Sequence, residues 1–298
     1  MKPTANGMGQ RELDTDEIAD IYDELLKTYK TEWEYRGHRS LHLAYYDDDH
    51  DEPGEAAMNT MRVLSEAAEI NSTDRVLNIG CGAGEDSVWN AKAYGVPVTG
   101  VNISETQLEL ARENAREHGV ESLTTFTYDD FHDLETVDDS SMTLVWGLEA
   151  LSHSPDRETA LQTARRVLTD DGRVAFTDLF ISTAFDSLTP TQTEQVETIN
   201  EALGVRLGPI GEFEATLQQT GFEHIQIQDL TSGVRPCTKR RKKFARVAHP
   251  VGRLLSRAGV GSKHQLDALE ASARIHDLIT ADVLGYYLIT ADRGETKQ

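Results

Sequence analysis

The residues best placed to do chemistry stand close together in Val76 to Ser87, VLNIGCGAGEDS, where Gly80, Gly82 and Gly84 alternate and Glu85 and Asp86 follow at once. Alternate glycines let a main chain approach a ligand closely and admit left-handed backbone. Between a strand and a helix such a turn commonly meets phosphate, but the two carboxylates would repel it there. A dinucleotide turn needs glycine at 85, where this chain has Glu, and no Lys-Ser or Lys-Thr pair completes a triphosphate loop. A positively charged nucleoside ligand without phosphate removes the conflict, because nearby carboxylates favour a cation. S-adenosylmethionine, a sulfonium that also carries an ammonium and a carboxylate, is such a ligand.

The elements that must position this turn follow from periodicity. Strand-like runs fall at 75–80, 97–103, 123–128, 142–147, 173–180, 222–229 and 285–291, and helix-like runs at 54–70, 84–94, 105–118, 155–168, 190–203 and 212–220. Ser104 with Gln107 reads as a capping box and Ser154-Pro155 as a helix start. Alternation of strand and helix at this spacing predicts an α/β fold, a seven-stranded, mostly parallel sheet with helices on both faces. Upstream, Ile18, Ile21, Leu25 and Tyr29 predict a helix from Asp14 to about Lys30, after a tail over 1–13 expected to be disordered. We divide the chain into a tail and lid (1–53), a core (54–185) and a region of cover helices, basic insertion and last two strands (186–298).

With the motif in that setting, VLNIGCGAG resembles the first motif of class I S-adenosylmethionine-dependent methyltransferases. WEYRGHRSLHLAYYD, GVNISETQLELARENA and VWGLEALSHSPDR resemble the small-molecule and lipid branch of that class. The branch includes tocopherol, quinone and sarcosine/dimethylglycine methyltransferases and cyclopropane fatty acid synthases. The resemblance implies a Rossmann-like core in which Asn78, Gly80, Cys81, Gly82 and Gly84 line the methionine end of the cofactor. It puts Asn102 and Gln107 at the ribose and adenine edge and Asp130 and Phe131 at the adenine ring. Trp146 and Gly147 then stand beside the cofactor and Tyr45 faces it from the lid, while His38, His42 and Tyr46 are candidate substrate contacts.

Methyl transfer from a sulfonium is an in-line displacement, so positioning carries much of it, and a base is needed where the acceptor is a protonated oxygen or nitrogen. His153 follows the fourth strand and Asp178 ends the fifth, strands that are neighbours in the fold so implied. We expect His153 as base and Asp178 as its orienting partner, with Glu149 as a second candidate. The Asn/Asp-Pro-Pro-aromatic run of adenine and protein-glutamine methyltransferases is replaced here by WGLEAL. A small-molecule acceptor is therefore expected, a prenylated quinone or related lipid first. A soluble amine of the sarcosine or dimethylglycine type is the alternative, and a non-catalytic cofactor-binding sensor the reading from another class. No metal is expected.

Composition bounds the partners. The 298 residues carry 29 basic and 51 acidic side chains, a net charge of −22 that disfavours nucleic acid. Only 9 of the basic residues are Lys, a balance that suits a halophile and equally an acidic cytosolic enzyme. Two cysteines, Cys81 and Cys237, point to a reducing compartment, and a cytoplasmic location is expected. The segment 235–263 departs from all this, with ten Lys or Arg and no Asp or Glu. Within it Phe244, Val247, Val251, Leu254 and Leu255 recur near helical spacing, although Pro250 is expected to kink or split a helix. Three destinations fit: an anionic membrane surface met through 239–257, a cover over the acidic body, or RNA.

Overall fold

The computed structural model describes residues 38–257 and 263–295. The expected helix from Asp14 to Lys30, the tail before it and Trp33 of the lid lie outside the described residues.

Seven strands form one sheet in the order β3-β2-β1-β4-β5-β7-β6. They are β1 (Val76–Ile79), β2 (Val98–Asn102), β3 (Thr124–Tyr128), β4 (Met142–Leu148), β5 (Leu168–Ile181), β6 (Phe222–Asp229) and β7 (Leu284–Arg293). Strands β1 to β5 pair in parallel, and β7 runs antiparallel between β5 and β6. The chain winds outward from β1 to β3 and then crosses to β4 on the other side, so the point of reversal lies between β1 and β4. In open α/β sheets ligands bind outside the carboxyl ends of the strands at such a point.

Eight helices connect the described strands: α1 (Pro53–Ala67), α2 (Glu85–Tyr94), α3 (Glu105–Glu117), α4 (Arg157–Val167), α5 (Pro190–Leu203), α6 (Ile210–Gln219), α7 (Thr231–Arg257) and α8 (Lys263–Thr280). Alternate strand residues face opposite ways, and two cores result. Val76, Leu144 and Trp146 join Leu64 of α1, Leu108 of α3, Ile199 of α5 and Ile275 of α8 in one core. Leu77, Ile79 and Val145 join Leu161 of α4 and Phe213 of α6 in the other. Helices thus cover both faces.

Several boundaries differ from the sequence reading. Strand β5 begins at Leu168 rather than 173, because the exposed Asp170 and Asp171 hide its first residues from a hydropathy pattern. The cap of α4 is Asp156, whose side chain accepts from Thr159 N, and not Ser154. Ser104 does cap α3 through Gln107 N. The Gln107 side chain instead accepts from Asn102 Nδ2 at 3.0 Å. Helix α8 was not among the expected helices, although its buried Ala271, Ile275, Leu278 and Ile279 recur at helical spacing. Pro250 does not split the basic insertion: α7 runs through both Pro236 and Pro250. Arg246 and Pro250 are both exposed, so the carbonyl that proline leaves without its helical donor faces water.

Candidate active site

The glycine turn is shaped by contacts on both sides. Gly80, Gly82 and Gly84 all have positive φ, 64°, 53° and 78°, a region that disfavours other residues. A Cβ on Gly84 would stand 2.7 Å from Ala111 Cβ, so this glycine lets α2 and α3 approach. A Cβ on Gly82 would meet only Gln107 Oε1, at 3.5 Å. Two of the three glycines, Gly80 and Gly82, line a cavity at the carboxyl edge of β1 and β4.

One end of that cavity is polar. Gly80, Cys81, Gly82, Glu85 and Asp86 line it, with Asn102 from the end of β2, Gln107 from α3 and Phe131 from the loop after β3. Asp86 is buried, and its Oδ2 accepts from Trp146 Nε1 at 3.0 Å. Burial raises its pKa to about 6 despite that bond. Glu85 Oε2 accepts from Arg39 N at 2.9 Å and from Asn114 Nδ2 at 3.2 Å.

The other end is mostly apolar, walled by Leu148, Leu179, Ile199, Leu203, Val205, Leu207 and Ile275. Into it project Glu149, His153, Asp178 and Arg241. Glu149 has φ 52° at the tip of β4, a strained conformation of the kind that clusters at functional sites. Its N–H donates to Thr177 O of β5 at 2.8 Å. Burial raises its carboxyl pKa to about 7, and Asp178 adds to the rise, while Arg241 and the Leu43 amide oppose it. Asp178 is likewise raised by burial to about 6, against the nearby Arg157 charge. Burial lowers His153 to about 4.

A strap, residues 39–43, closes over both ends. Arg39 N is bound by Glu85, Leu43 N donates to Glu149 Oε1 at 2.5 Å, and Arg241 Nη2 donates to Leu41 O at 2.8 Å and His42 O at 3.1 Å. Three parts of the fold far apart in sequence therefore hold one segment.

Against the residues singled out by sequence, Gly80, Cys81, Gly82, Asn102, Gln107, Phe131, His42, Glu149, His153 and Asp178 all line the cavity. Others stand behind its wall. Asn78 Nδ2 donates to Ser87 Oγ at 2.8 Å, Trp146 is fully buried under Asp86, and Gly147 packs against Phe176 and Ile79. Gly84 is a packing residue. Asp130 turns to His132, 2.6 Å away, and the neighbouring Asp129 borders the cavity while its carboxylate accepts from Glu135 N and from Thr136 N and Oγ1. Tyr45 packs on Gly233 of α7, and Tyr46 bonds Arg240. His38 is buried next to Ser40 N, outside the lining.

The expected pairing of His153 with Asp178 is not formed. Asp178 accepts from Ser152 N at 2.7 Å and Leu179 N at 2.8 Å, while His153 Nδ1 lies 3.0 Å from Gly204 O. A carbonyl only accepts, so Nδ1 carries the proton. Arg39 and Arg241 were not singled out. Only Arg241 left a trace in the sequence, since it shares a helical face with Val234, Ala245 and the packed Gly252.

A methyltransferase-domain family model matches residues 70–226, more than half of the chain. A 27-O-demethylrifamycin SV methyltransferase from Amycolatopsis mediterranei is 33% identical over 244 residues, 82% of this chain and 84% of that protein. The chain belongs to the S-adenosylmethionine-dependent methyltransferases. Another relative of this methyltransferase is the sarcosine/dimethylglycine N-methyltransferase of Halorhodospira halochloris, 30% identical over 65% of this chain and 68% of that one. The fold is shared with a geranyl diphosphate C-methyltransferase from Streptomyces coelicolor, solved with S-adenosyl-L-homocysteine. The TM-score is 0.74 and the identity 18%, covering 95% and 100% of the two chains. Such relatives methylate small molecules by name, and this methyltransferase is of that kind.

The polar end fits the cofactor. A Cβ on Gly82 would meet nothing but an ordinary contact with Gln107, two acids lie beside this glycine for a cation, and the Asn102–Gln107 amide pair can reach a hydroxyl.

Proposed function

We propose that the enzyme methylates a hydroxyl group on a largely apolar small molecule, with Glu149 as the general base. Prenylated hydroquinones are one acceptor of this description. The cofactor supplies an electrophilic methyl group, and the chain's residues place and deprotonate the nucleophile.

The observation that carries the reading is Glu149 itself: a half-buried carboxyl at the tip of β4, facing an apolar wall, with its pKa raised to about 7. A base whose pKa lies near the working pH combines the right protonation state with driving force. His153, held to about 4, is a poorer proton acceptor. Asp178 is occupied by two backbone amides and raises the Glu149 pKa by its charge.

An amine acceptor has less support. An ammonium substrate favours a fully ionised acidic pocket, whereas Glu149 lies close to neutrality and the Arg241 guanidinium stands near it. The name of the rifamycin relative points toward oxygen, and that of the sarcosine relative toward nitrogen.

The test supplies methyl-labelled S-adenosylmethionine and cell extract to the purified enzyme, then partitions the label between organic and aqueous phases. Label recovered as a methyl ether in the organic phase supports the proposal. Label in small aqueous amines overturns it, and so does cofactor binding with no transfer, which would mark a sensor.

A further inference from the structure

Helix α7 has two halves with different partners. In the first, cations reach back to the body: Arg235 to Asp282, Arg240 to Tyr46, Arg241 to the strap and Lys242 to Asp277. Its buried face carries Val234, Cys237 and Ala245, and Gly252 packs against Leu266 of α8.

The outer face of the second half is different. Phe244, Val247, Val251 and Leu254 are 65%, 72%, 56% and 68% exposed. Spacings of three and four residues set them in one row along the helix. Lys239, Lys243, Arg246 and Arg253 are exposed along one flank of that row. The acids of α8 do not cancel these charges, because Asp267 is paired with Lys263, Glu270 with Arg274 and Asp277 with Lys242.

We propose that this face of α7 docks the protein on a membrane surface rich in anionic lipid. Charge complementarity selects the surface: in a chain of net charge −22, the segment 235–263 has ten cations and no acid, so it alone can approach a negative interface. The apolar row selects lipid over nucleic acid, since three of its four members are aliphatic and offer bases nothing to stack on. An amphipathic helix with these two features lies in the headgroup plane with its apolar side chains inserted. No helix among the described residues is long and apolar enough to cross a membrane. Arg241 lines the cavity one helical turn before Phe244, so docking brings the cavity close to the lipid. The inference does not depend on which acceptor is methylated.

The test is co-sedimentation of the full chain with vesicles of phosphatidylcholine alone or mixed with phosphatidylglycerol. Binding is expected only with the anionic lipid. At about 1 M salt, where screening acts within ~3 Å, it should weaken strongly. Lys243→Gln with Arg246→Gln should lower the partition coefficient about 25-fold, about fivefold per charge. Val247→Ser with Leu254→Ser should cost on the order of tenfold. All four side chains are exposed, and unchanged thermal midpoints with unchanged S-adenosylmethionine binding verify the folded state. Equal binding to neutral vesicles, partition indifferent to both variants, preference for single-stranded RNA over vesicles, or self-association in place of lipid binding would each overturn the proposal.

Discussion

The indole of Trp146 and the carboxylate of Asp86 form a buried pair, Nε1 donating to Oδ2 at 3.0 Å, that ties the centre of β4 to the first turn of α2. The pair sets one acidic group of the cavity in place from behind. Trp146→Phe keeps most of the packing and takes the indole donor from the carboxylate, which retains Ser87 N, at a cost of about 1–3 kcal/mol. Near pH 5 the acid is largely protonated and the donor matters less, so urea denaturation at about pH 5 and about pH 8 should show the larger loss at the higher pH.

Stability should depend on pH with a sign set by the raised acids. Asp86 and Asp178 hold protons in the folded chain between 3.8 and about 6, and Glu149 between 4.5 and about 7, where the unfolded chain has released them. Each therefore withdraws stability as pH rises through its window. His153 acts in the opposite sense between about 4 and 6.5, since only the unfolded chain is charged there. Glu149→Gln removes one of these contributions, so the variant's thermal midpoint should gain on wild type as pH rises from about 5 to about 7.

The same substitution tests the base. Glu149→Gln should lower kcat by about 10²–10⁴ and leave cofactor affinity within a few fold. The wild-type rate should rise with pH through about 7, the value at which Glu149 loses its proton. In the Gln variant that limb should be missing from the pH profile.

Arg241→Met has two readable effects. The guanidinium lowers the Glu149 pKa, so its removal should move the acid limb of the rate profile upward. It also donates to the carbonyls of Leu41 and His42, so the strap loses an anchor and KM should rise. A purely structural residue would give the second effect without the first.

Gly82 and Gly84 should separate binding from folding. Gly84→Ala drives a Cβ to 3.0 Å from the Ala111 backbone, and strain with overpacking should cost about 2–5 kcal/mol. Gly82→Ala meets nothing closer than 3.5 Å, so it should fold at a cost of about 1–2 kcal/mol. Its methyl group enters the cavity, and calorimetry should show the weakened cofactor binding.

The sheet was legible because buried parallel strands are short apolar runs, and the polar end of the cavity because alternate glycines have few other uses. What escaped depends on direction rather than on residue type. Asp129 and Asp130 are adjacent and alike, yet Asp130 turns to His132 and Asp129 to Glu135 and Thr136, and only Asp129 borders the cavity. Tyr45 and Tyr46 suggest a pocket by their aromaticity but pack toward α7. His153 and Asp178 do share one sheet edge, yet Gly204 O and two amides take the atoms that would have joined them. Arg241 sits in a run of cations, and only its place on the face of α7 that carries the buried Val234 and Ala245 distinguishes it from its neighbours.

The place of β7 has a consequence for how the chain is made. Among the described strands β6 pairs with β7 alone, and β5 presents to β7 the edge that β4 does not cover. Both must wait while α7 and α8 are synthesised, and during that interval a growing polypeptide carries two open strand edges beside a basic, half-apolar helix. Unpaired edges are templates for association between chains. The nascent protein therefore passes through a sticky stage that ends only when β7 slides between its neighbours, and chaperone demand during expression should fall on that stage.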